Sequence, residues 1–397
     1  MRHFFKISWL FIFSILADAC QEALPENRAF PVIRTLAPKD VDSSGATFRA
    51  ELITGKKSTT AYGFIWDIAE PEITTANKIE LGTTVPEGVF EKRIESLLAK
   101  DAEYKVRAYA TLDGKTIYGT TVTFKSEGSK QSGWSFETQL TDVTGGFSSF
   151  GGTDSKYGYI LYQLSEAYKY DPEKKTIAKI PDLPFAGNSG VTITTCTHSK
   201  VLYVFEGKTN NLSKFANNSW SVVSPLPFNY GNFGGYYLAF SANGYIYILS
   251  SFKSYAYDVT NDLWYPLLLP NSNSRFSTSG VFDGANGYLL MYNGTFWEFS
   301  TSTHQWTPKK NYPGVSFSSE PLVTYAHNSM VYVGLNRDLD FWSYDTSLNE
   351  WKPAERFPSS LKDFGIQFYF VVKDKLYCGV GKAFGEFSVW SFEPKTF

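Results

Sequence analysis

The sequence predicts an all-β protein of two domains, and three observations carry that expectation. They are a length beyond a single small sandwich, an excess of aromatics with frequent Gly and Pro, and a repeat through the later part of the chain. At 397 residues the chain can bury two cores, one of them large. Aromatics make up 17% of it, Tyr and Phe far outnumber Met, and 31 Gly and 18 Pro recur at short intervals. That composition suits many short strands joined by tight turns. The 37 Lys plus Arg and 39 Asp plus Glu are scattered rather than gathered into runs. Nucleic acid is therefore not an expected partner, because phosphate binding needs a basic patch or stripe.

The first residues read separately. Arg2 and Lys6 flank the start of an apolar run, 7–16, too short to span a bilayer and right for the core of a signal peptide. Residues 1–19 are read as that peptide and 20–29 as a polar tether. Ala17-Asp18-Ala19-Cys20 fits either an ordinary signal-peptidase site or a lipoprotein site acylated at Cys20. Leu16 and Asp18 depart from the usual lipobox, whereas a cysteine at the cleavage point followed by Gln21-Glu22 favours the lipoprotein. The expectation is a bacterial envelope protein on the outer membrane, on either face, attached through that thiol alone. Cys196 and Cys378 lie in strand-like segments far apart and are read as small buried hydrophobes rather than a disulfide or a metal pair.

Residues 30–125 carry short alternating runs. In the run from Tyr104, the residues Tyr104, Val106, Ala108 and Ala110 share one face while Lys105 and Arg107 take the other, the pattern of a half-buried strand. Leu98 stands six residues before Tyr104, and Trp66 is a candidate core aromatic. This spacing resembles the tyrosine corner of fibronectin type III domains, in which a Tyr hydroxyl ties its strand to the preceding turn. The resemblance implies a β-sandwich that serves as a spacer. Residues 126–133 are polar, contain Gly and Ser, lack periodic apolar positions, and are read as a linker.

The remainder, 134–397, repeats. Trp134, Ile177, Trp220, Trp264, Trp306 and Trp351 are spaced by 43, 43, 44, 42 and 45 residues, and most have a Pro soon after. An aromatic stands seven residues before the marker at Tyr170, Tyr257, Phe299 and Tyr344, with Phe215 closer in. A third series, Ile160, Tyr203, Tyr247, Leu290, Tyr332 and Tyr377, centres short apolar runs. A unit of this length with about four strands is the size of a propeller blade. The order of apolar strand, Tyr-Asp, then Trp and Pro resembles kelch repeats, although the double glycine usual after their second strand is missing. The seven-residue rule places a marker beyond Phe397, where the sequence given ends. The segment at Trp134 is therefore expected to supply the outer strand of the last unit, which makes a six-bladed kelch-like β-propeller closed by an N-terminal outer strand.

Antiparallel blades bring the outer-to-inner and second-to-third connections to one face. Phe147, Phe233, Phe276, Phe317 and Phe364 recur in the first set of connections, either as a stacking ring for a ligand or as the top layer of packing between blades. Residues that break the repeat are better candidates, because packing does not call for them: Tyr230 beside Asn229, Arg275, Glu320, Asp363 and, from the second set, Arg337. Arg275 with Glu320 forms the preferred polar pair, and Phe276 with Phe317 the apolar wall. Glu206, Lys208, Asn210, Lys253, Asp338 and Asp340 read mostly as solvated loop charges.

No catalytic constellation, cofactor or metal is expected. Some kelch propellers are copper-radical oxidases, but His198, His304 and His327 are not spaced as a ligand pair. Nucleophile elbows, phosphate loops and zinc spacings are missing from the sequence. The expected function is a surface binding protein for a glycan or an envelope partner protein. The alternative is a carbohydrate-active enzyme such as a sugar mutarotase, which the resemblance to bacterial kelch proteins suggests and in which Glu320 and Arg275 would act.

Overall fold

The computed structural model describes residues 30–55, 58–141, 143, 149–162, 166–185, 193–207, 209, 211–227, 237–250, 254–268, 276–291, 293–314, 322–335, 339–360, 365–381 and 387–395. Among them the chain is all-β, with no helix.

The N-terminal strands are β1 (Val32–Asp42), β2 (Gly45–Thr54), β3 (Ser58–Asp67), β4 (Asn77–Thr84), β5 (Gly88–Ile94), β6 (Lys100–Leu112), β7 (Lys115–Tyr118) and β8 (Val122–Glu127). A three-stranded sheet of order β1-β2-β5 packs against a sheet in which β6 pairs with β3, β7 and β8, and β3 with β4. The alternation in β6 places Tyr104, Val106, Ala108 and Ala110 in the core. Phe48 from the first sheet meets Phe64, Trp66 and Phe124 from the second edge-on, with ring centroids 5.4–5.9 Å apart, a geometry aromatic quadrupoles favour. The Tyr104 hydroxyl accepts a hydrogen bond from the Ala99 amide at 3.0 Å. The strand is thus tied to the turn before it, as the Leu98–Tyr104 spacing predicts. Residues 126–133 are partly enclosed: Glu127, Lys130 and Gln131 are exposed, but Ser126, Ser129 and Ser132 are buried, and the Ser129 hydroxyl donates to the Leu98 carbonyl. Serine reads as polar in a composition, but its hydroxyl is easily satisfied by backbone when buried.

After β9 (Trp134–Leu140) come five four-stranded antiparallel sheets. The first is β10 (Ser149–Thr153), β11 (Gly158–Tyr162), β12 (Ala167–Asp171) and β13 (Thr176–Ile180). The second is β14 (Ile193–His198), β15 (Val201–Glu206), β16 (Asn211–Ala216) and β17 (Ser219–Pro225). The third is β18 (Tyr237–Ala242), β19 (Tyr245–Ser250), β20 (Ser254–Asp258) and β21 (Leu263–Leu267). The fourth is β22 (Phe276–Phe282), β23 (Asn286–Met291), β24 (Phe296–Ser300) and β25 (Trp306–Lys309). The fifth is β26 (Val323–His327), β27 (Met330–Gly334), β28 (Phe341–Asp345) and β29 (Glu350–Pro353). The last strands, β30 (Gly365–Val372), β31 (Lys375–Gly381) and β32 (Phe387–Phe392), pair in order and continue onto β9. A single parallel bridge, Lys100 to Ser135, joins this group to β6.

The three sequence series occupy fixed places. The apolar runs are the second strands, which neighbouring sheets cover on both faces, so that β11, for example, is buried throughout. The aromatic of the third strand lies opposite the marker of the fourth: Tyr170 faces Ile177, Phe215 faces Trp220, Tyr257 faces Trp264, Phe299 faces Trp306 and Tyr344 faces Trp351. Phe392 faces Trp134 in the same way, the pairing that the spacing predicts. The indole Nε1 groups of Trp220, Trp306 and Trp351 donate at 2.8–2.9 Å to the carbonyls of Pro181, Leu268 and Lys310, just after the fourth strand of the preceding sheet.

First strands neighbour one another in chain order from β10 through β14, β18, β22 and β26 to β30, and β30 also neighbours β10. The contact between β30 and β10 is close, since a Cβ on Gly151 would stand 1.6 Å from the Tyr369 carbonyl oxygen. Threonines stitch adjacent sheets: Thr195 Oγ1 donates to the Gly151 carbonyl at 2.6 Å and Thr324 Oγ1 to that of Gly280 at 2.8 Å. Cys196 and Cys378 are free and buried, as expected of small hydrophobes.

Candidate functional site

Nine of the loop-face candidates, Phe147, Tyr230, Phe233, Arg275, Phe317, Glu320, Arg337, Asp363 and Phe364, lie outside the described residues, as does Cys20. So do Asn229, Lys208, Asn210, Lys253 and Asp338. Phe276 is placed by its backbone alone: it opens β22 and pairs with Met291 rather than sitting in the connection before the strand. Asp340 is exposed, as a loop charge should be. Glu206 is not. It closes β15 with 1% of its surface exposed, and its Oε2 accepts the Thr209 amide at 2.7 Å. Its own loop thus supplies hydrogen bonds to a side chain that the fold encloses.

The opposite end of the sheets, where the hairpins turn, carries a depression of about 320 Å³ between the first and second sheets. One wall grows from the turn joining β10 to β11. Asp154 Oδ1 accepts the amides of Lys156 at 2.9 Å and Tyr157 at 2.7 Å, while Oδ2 accepts the Tyr159 hydroxyl at 2.8 Å. One short acid thus closes the turn and fixes two aromatics, which is what Asp does well in turns. Burial, followed by the Asp154 bond, pushes the Tyr159 phenol above its ordinary range, so it stays protonated and donating. Tyr157 is half-buried, and the ammonium groups of Lys156 and Lys169 each lie 4.8 Å from its ring centroid, within cation–π distance.

The other wall comes from two hairpins of the second sheet. Ser199 and Lys200, with φ of 49° and 61°, turn between β14 and β15, and Asn217 and Asn218, with φ of 51° and 57°, turn between β16 and β17. Paired left-handed residues are the signature of the tight hairpin turn that matches strand twist, and Asn tolerates them best. Phe215 forms part of this lining and meets Tyr159 edge-on at 5.7 Å. The result is a cleft with an aromatic plane, two amide side chains, a carboxylate and two ammonium groups, Lys169 and Lys200.

A second depression of about 200 Å³ lies between the first and sixth groups of strands, and two of its three lysines, Lys373 and Lys375, are ion-paired. Lys373 pairs with Glu173 at 2.6 Å, and Lys375 with Glu137 at 3.1 Å. By contrast, Lys169 and Lys200 have no ion-pair partner among the described residues of the larger cleft. The larger cleft therefore has hydrogen-bonding capacity to spare, while the smaller one is a charged seam between sheets.

Sequence reasoning did not select this end of the molecule. The Asn217-Asn218 dipeptide and the Asp154-to-Tyr157 turn were visible signals, but each reads as an ordinary turn until the neighbouring sheet is placed beside it.

No family model and no curated protein sequence matches the chain. Among solved structures, it is similar to a structural genomics protein of unknown function from Bacteroides thetaiotaomicron at 10% identity and a TM-score of 0.45, over 91% of this chain and 98% of that one. It is also similar to the structure of YjhT at 14% identity and a TM-score of 0.48, over 63% of this chain and 95% of the other.

Proposed function

We propose that this chain is an exported, lipid-anchored protein of the bacterial envelope that binds glycans through a propeller. On this reading residues 134–397 form a six-bladed kelch-like propeller, and residues 30–125 a fibronectin type III-like domain that carries it. The cyclic adjacency of first strands β10 to β30 and the repeated aromatic–marker pairing support the propeller. The Tyr104 hydroxyl bond to the turn at Ala99 supports the sandwich type.

One observation carries the choice of ligand. The cleft between the first and second sheets offers the partly exposed Tyr157 ring, which the flexible Lys156 and Lys169 ammonium groups would vacate for a sugar, beside Asp154, Asn217 and Asn218. Sugars are bound by this combination, an aromatic plane against the C–H face with short polar side chains for the hydroxyls.

A glycan array on the full chain tests the proposal, run with wild type, Tyr157→Ala and Arg275→Ala. Binding that Tyr157→Ala abolishes and Arg275→Ala leaves intact supports the cleft. The reverse pattern moves the site to the loop face, and silence on every sugar overturns glycan binding in favour of a protein partner. Anchoring is tested separately: Cys20→Ser should abolish incorporation of radiolabelled fatty acid and release the protein from the membrane fraction.

A further inference from the structure

The chain between the fifth sheet and β30 does not simply cross to the next sheet. Residues 354–360 are packed between the N-terminal sheets and the closing strand β9. Asp67 at the end of β3 accepts the Ser359 hydroxyl at 2.6 Å and the Ser360 amide at 3.1 Å. Asn77 Nδ2 donates to the Pro358 carbonyl at 3.0 Å. Phe357, fully buried, meets the rings of Trp134 and Trp390 edge-on at 4.9 and 5.1 Å. Glu355 Oε2 accepts the Gly133 amide at 2.7 Å, and Lys395 Nζ donates to the Ser129 carbonyl at 2.6 Å.

This seam is unusually rich in unmet polar atoms. Glu355 Oε1, Arg356 Nε, Trp134 Nε1 and Asn77 Oδ1 are all enclosed without a hydrogen-bond partner among the described residues. Such groups are rare in folded proteins, because each costs the water it has lost. A carboxyl in this setting tolerates its neutral form far better than its charged one.

We propose that Glu355 makes the junction between the N-terminal domain and the repeat domain a pH-dependent clamp, docked when its carboxyl is protonated and loosened when it is ionised. Around it stand Ser132 and Gly133 before β9, Lys395 after β32 and Tyr104 on the N-terminal sheets, with Arg356 next to it in the chain and Asp67 beside Tyr104. Asp67 is already bonded to Ser359 and Ser360, and Lys395 to the backbone at Ser129 and Lys130. Asp67, itself an acid, offers Glu355 no compensating charge, and Lys395, held on backbone carbonyls, offsets the burial of Glu355 only in part. Burial, opposed by the Ser132 and Gly133 bonds and by Lys395, pushes the Glu355 carboxyl up to about 7. In an undocked state the group meets water and returns to its ordinary value near 4.5. The docked state thus binds the proton more tightly, so docking is strongest below the undocked value and weakens as pH rises through about 7.

The test is pulsed electron resonance on the full chain with spin labels at the exposed positions Lys92 and Glu350. The wild type should give a narrow distance distribution at pH 5.5 and a broader one at pH 8.5. Glu355→Gln, which keeps the shape and removes the charge, should stay narrow at both. A wild-type distribution equally narrow at both pH values overturns the proposal. So does a Glu355→Gln distribution that broadens with pH as the wild type does. The wild-type comparison stands alone if the variant fails to fold, and neither measurement depends on a ligand.

Discussion

Phe392 lies directly opposite Trp134, their ring centroids 4.9 Å apart at 39°. The pairs made within single sheets have nearly the same geometry: Phe215–Trp220 at 4.8 Å, Tyr257–Trp264 at 4.8 Å and 39°, Phe299–Trp306 at 4.9 Å, and Tyr344–Trp351 at 5.0 Å. The two ends of the repeat region therefore meet in the contact that each internal hairpin makes for itself. Trp134 differs in one respect, since its Nε1 has no partner among the described residues, and Phe357 packs on its ring instead.

Trp134→Ala should destabilise the protein by about 3–5 kcal/mol, the range for emptying a buried large aromatic site. Trp306→Ala removes an equivalent stack from a partly exposed marker and should cost less. Urea midpoints with unchanged slopes check the order, and equal losses would contradict it.

The pairing of β9 with β32 should be acid-sensitive. The Glu137 side chain on β9 is 7% exposed and pairs with Lys175 at 2.9 Å and Lys375 at 3.1 Å, and it accepts the Ser391 hydroxyl at 2.6 Å. Burial pushes its carboxyl up, but the Ser391 and lysine contacts outweigh it and hold it below its ordinary value of 4.5. A depressed folded value means stability that is present above about 4.5 and is lost as pH falls through the folded value. Glu137→Gln should lose roughly 1.5–3 kcal/mol at pH 7 and show a shallower decline towards pH 3. Thermal unfolding across that range is the measurement.

Gly151→Ala should be strongly destabilising, because its Cβ would fall within the Tyr369 backbone on β30. Gly365→Ala meets nothing nearer than 3.5 Å, the Gln367 side chain, and should change stability by less than about 0.5 kcal/mol. If both were equally mild, the close approach of β10 and β30 would be wrong.

Tyr104→Phe removes the hydroxyl that accepts the Ala99 amide and leaves that buried donor unmet. The expected cost is about 1–3 kcal/mol, read as a lower urea midpoint. Cys196 offers a control on packing: burial pushes its thiol up to about 12, so it should resist thiol reagents until the protein unfolds.

Much of the architecture could be read from residue order. The all-β class, the repeat length, the place of each aromatic series and the partnership of Trp134 with Phe392 follow from periodicity, because the same packing problem recurs in every unit and selects the same residue types. The Leu98–Tyr104 spacing likewise pointed to the turn that the hydroxyl ties. In the segment 126–133 composition does not say which serines are buried, since Ser129 is enclosed by its bond to the Leu98 carbonyl while Lys130 beside it is exposed.

What the order of residues left open is where different units meet. The cleft that brings Tyr157 towards Asn217, and the seam that sets Glu355 against Gly133, join residues from separate repeats or distant segments of the chain. Neither group of residues has a periodic signature, since each contact occurs once. Their chemistry arises from burial and from neighbours brought close by packing, and those are properties of the folded chain alone.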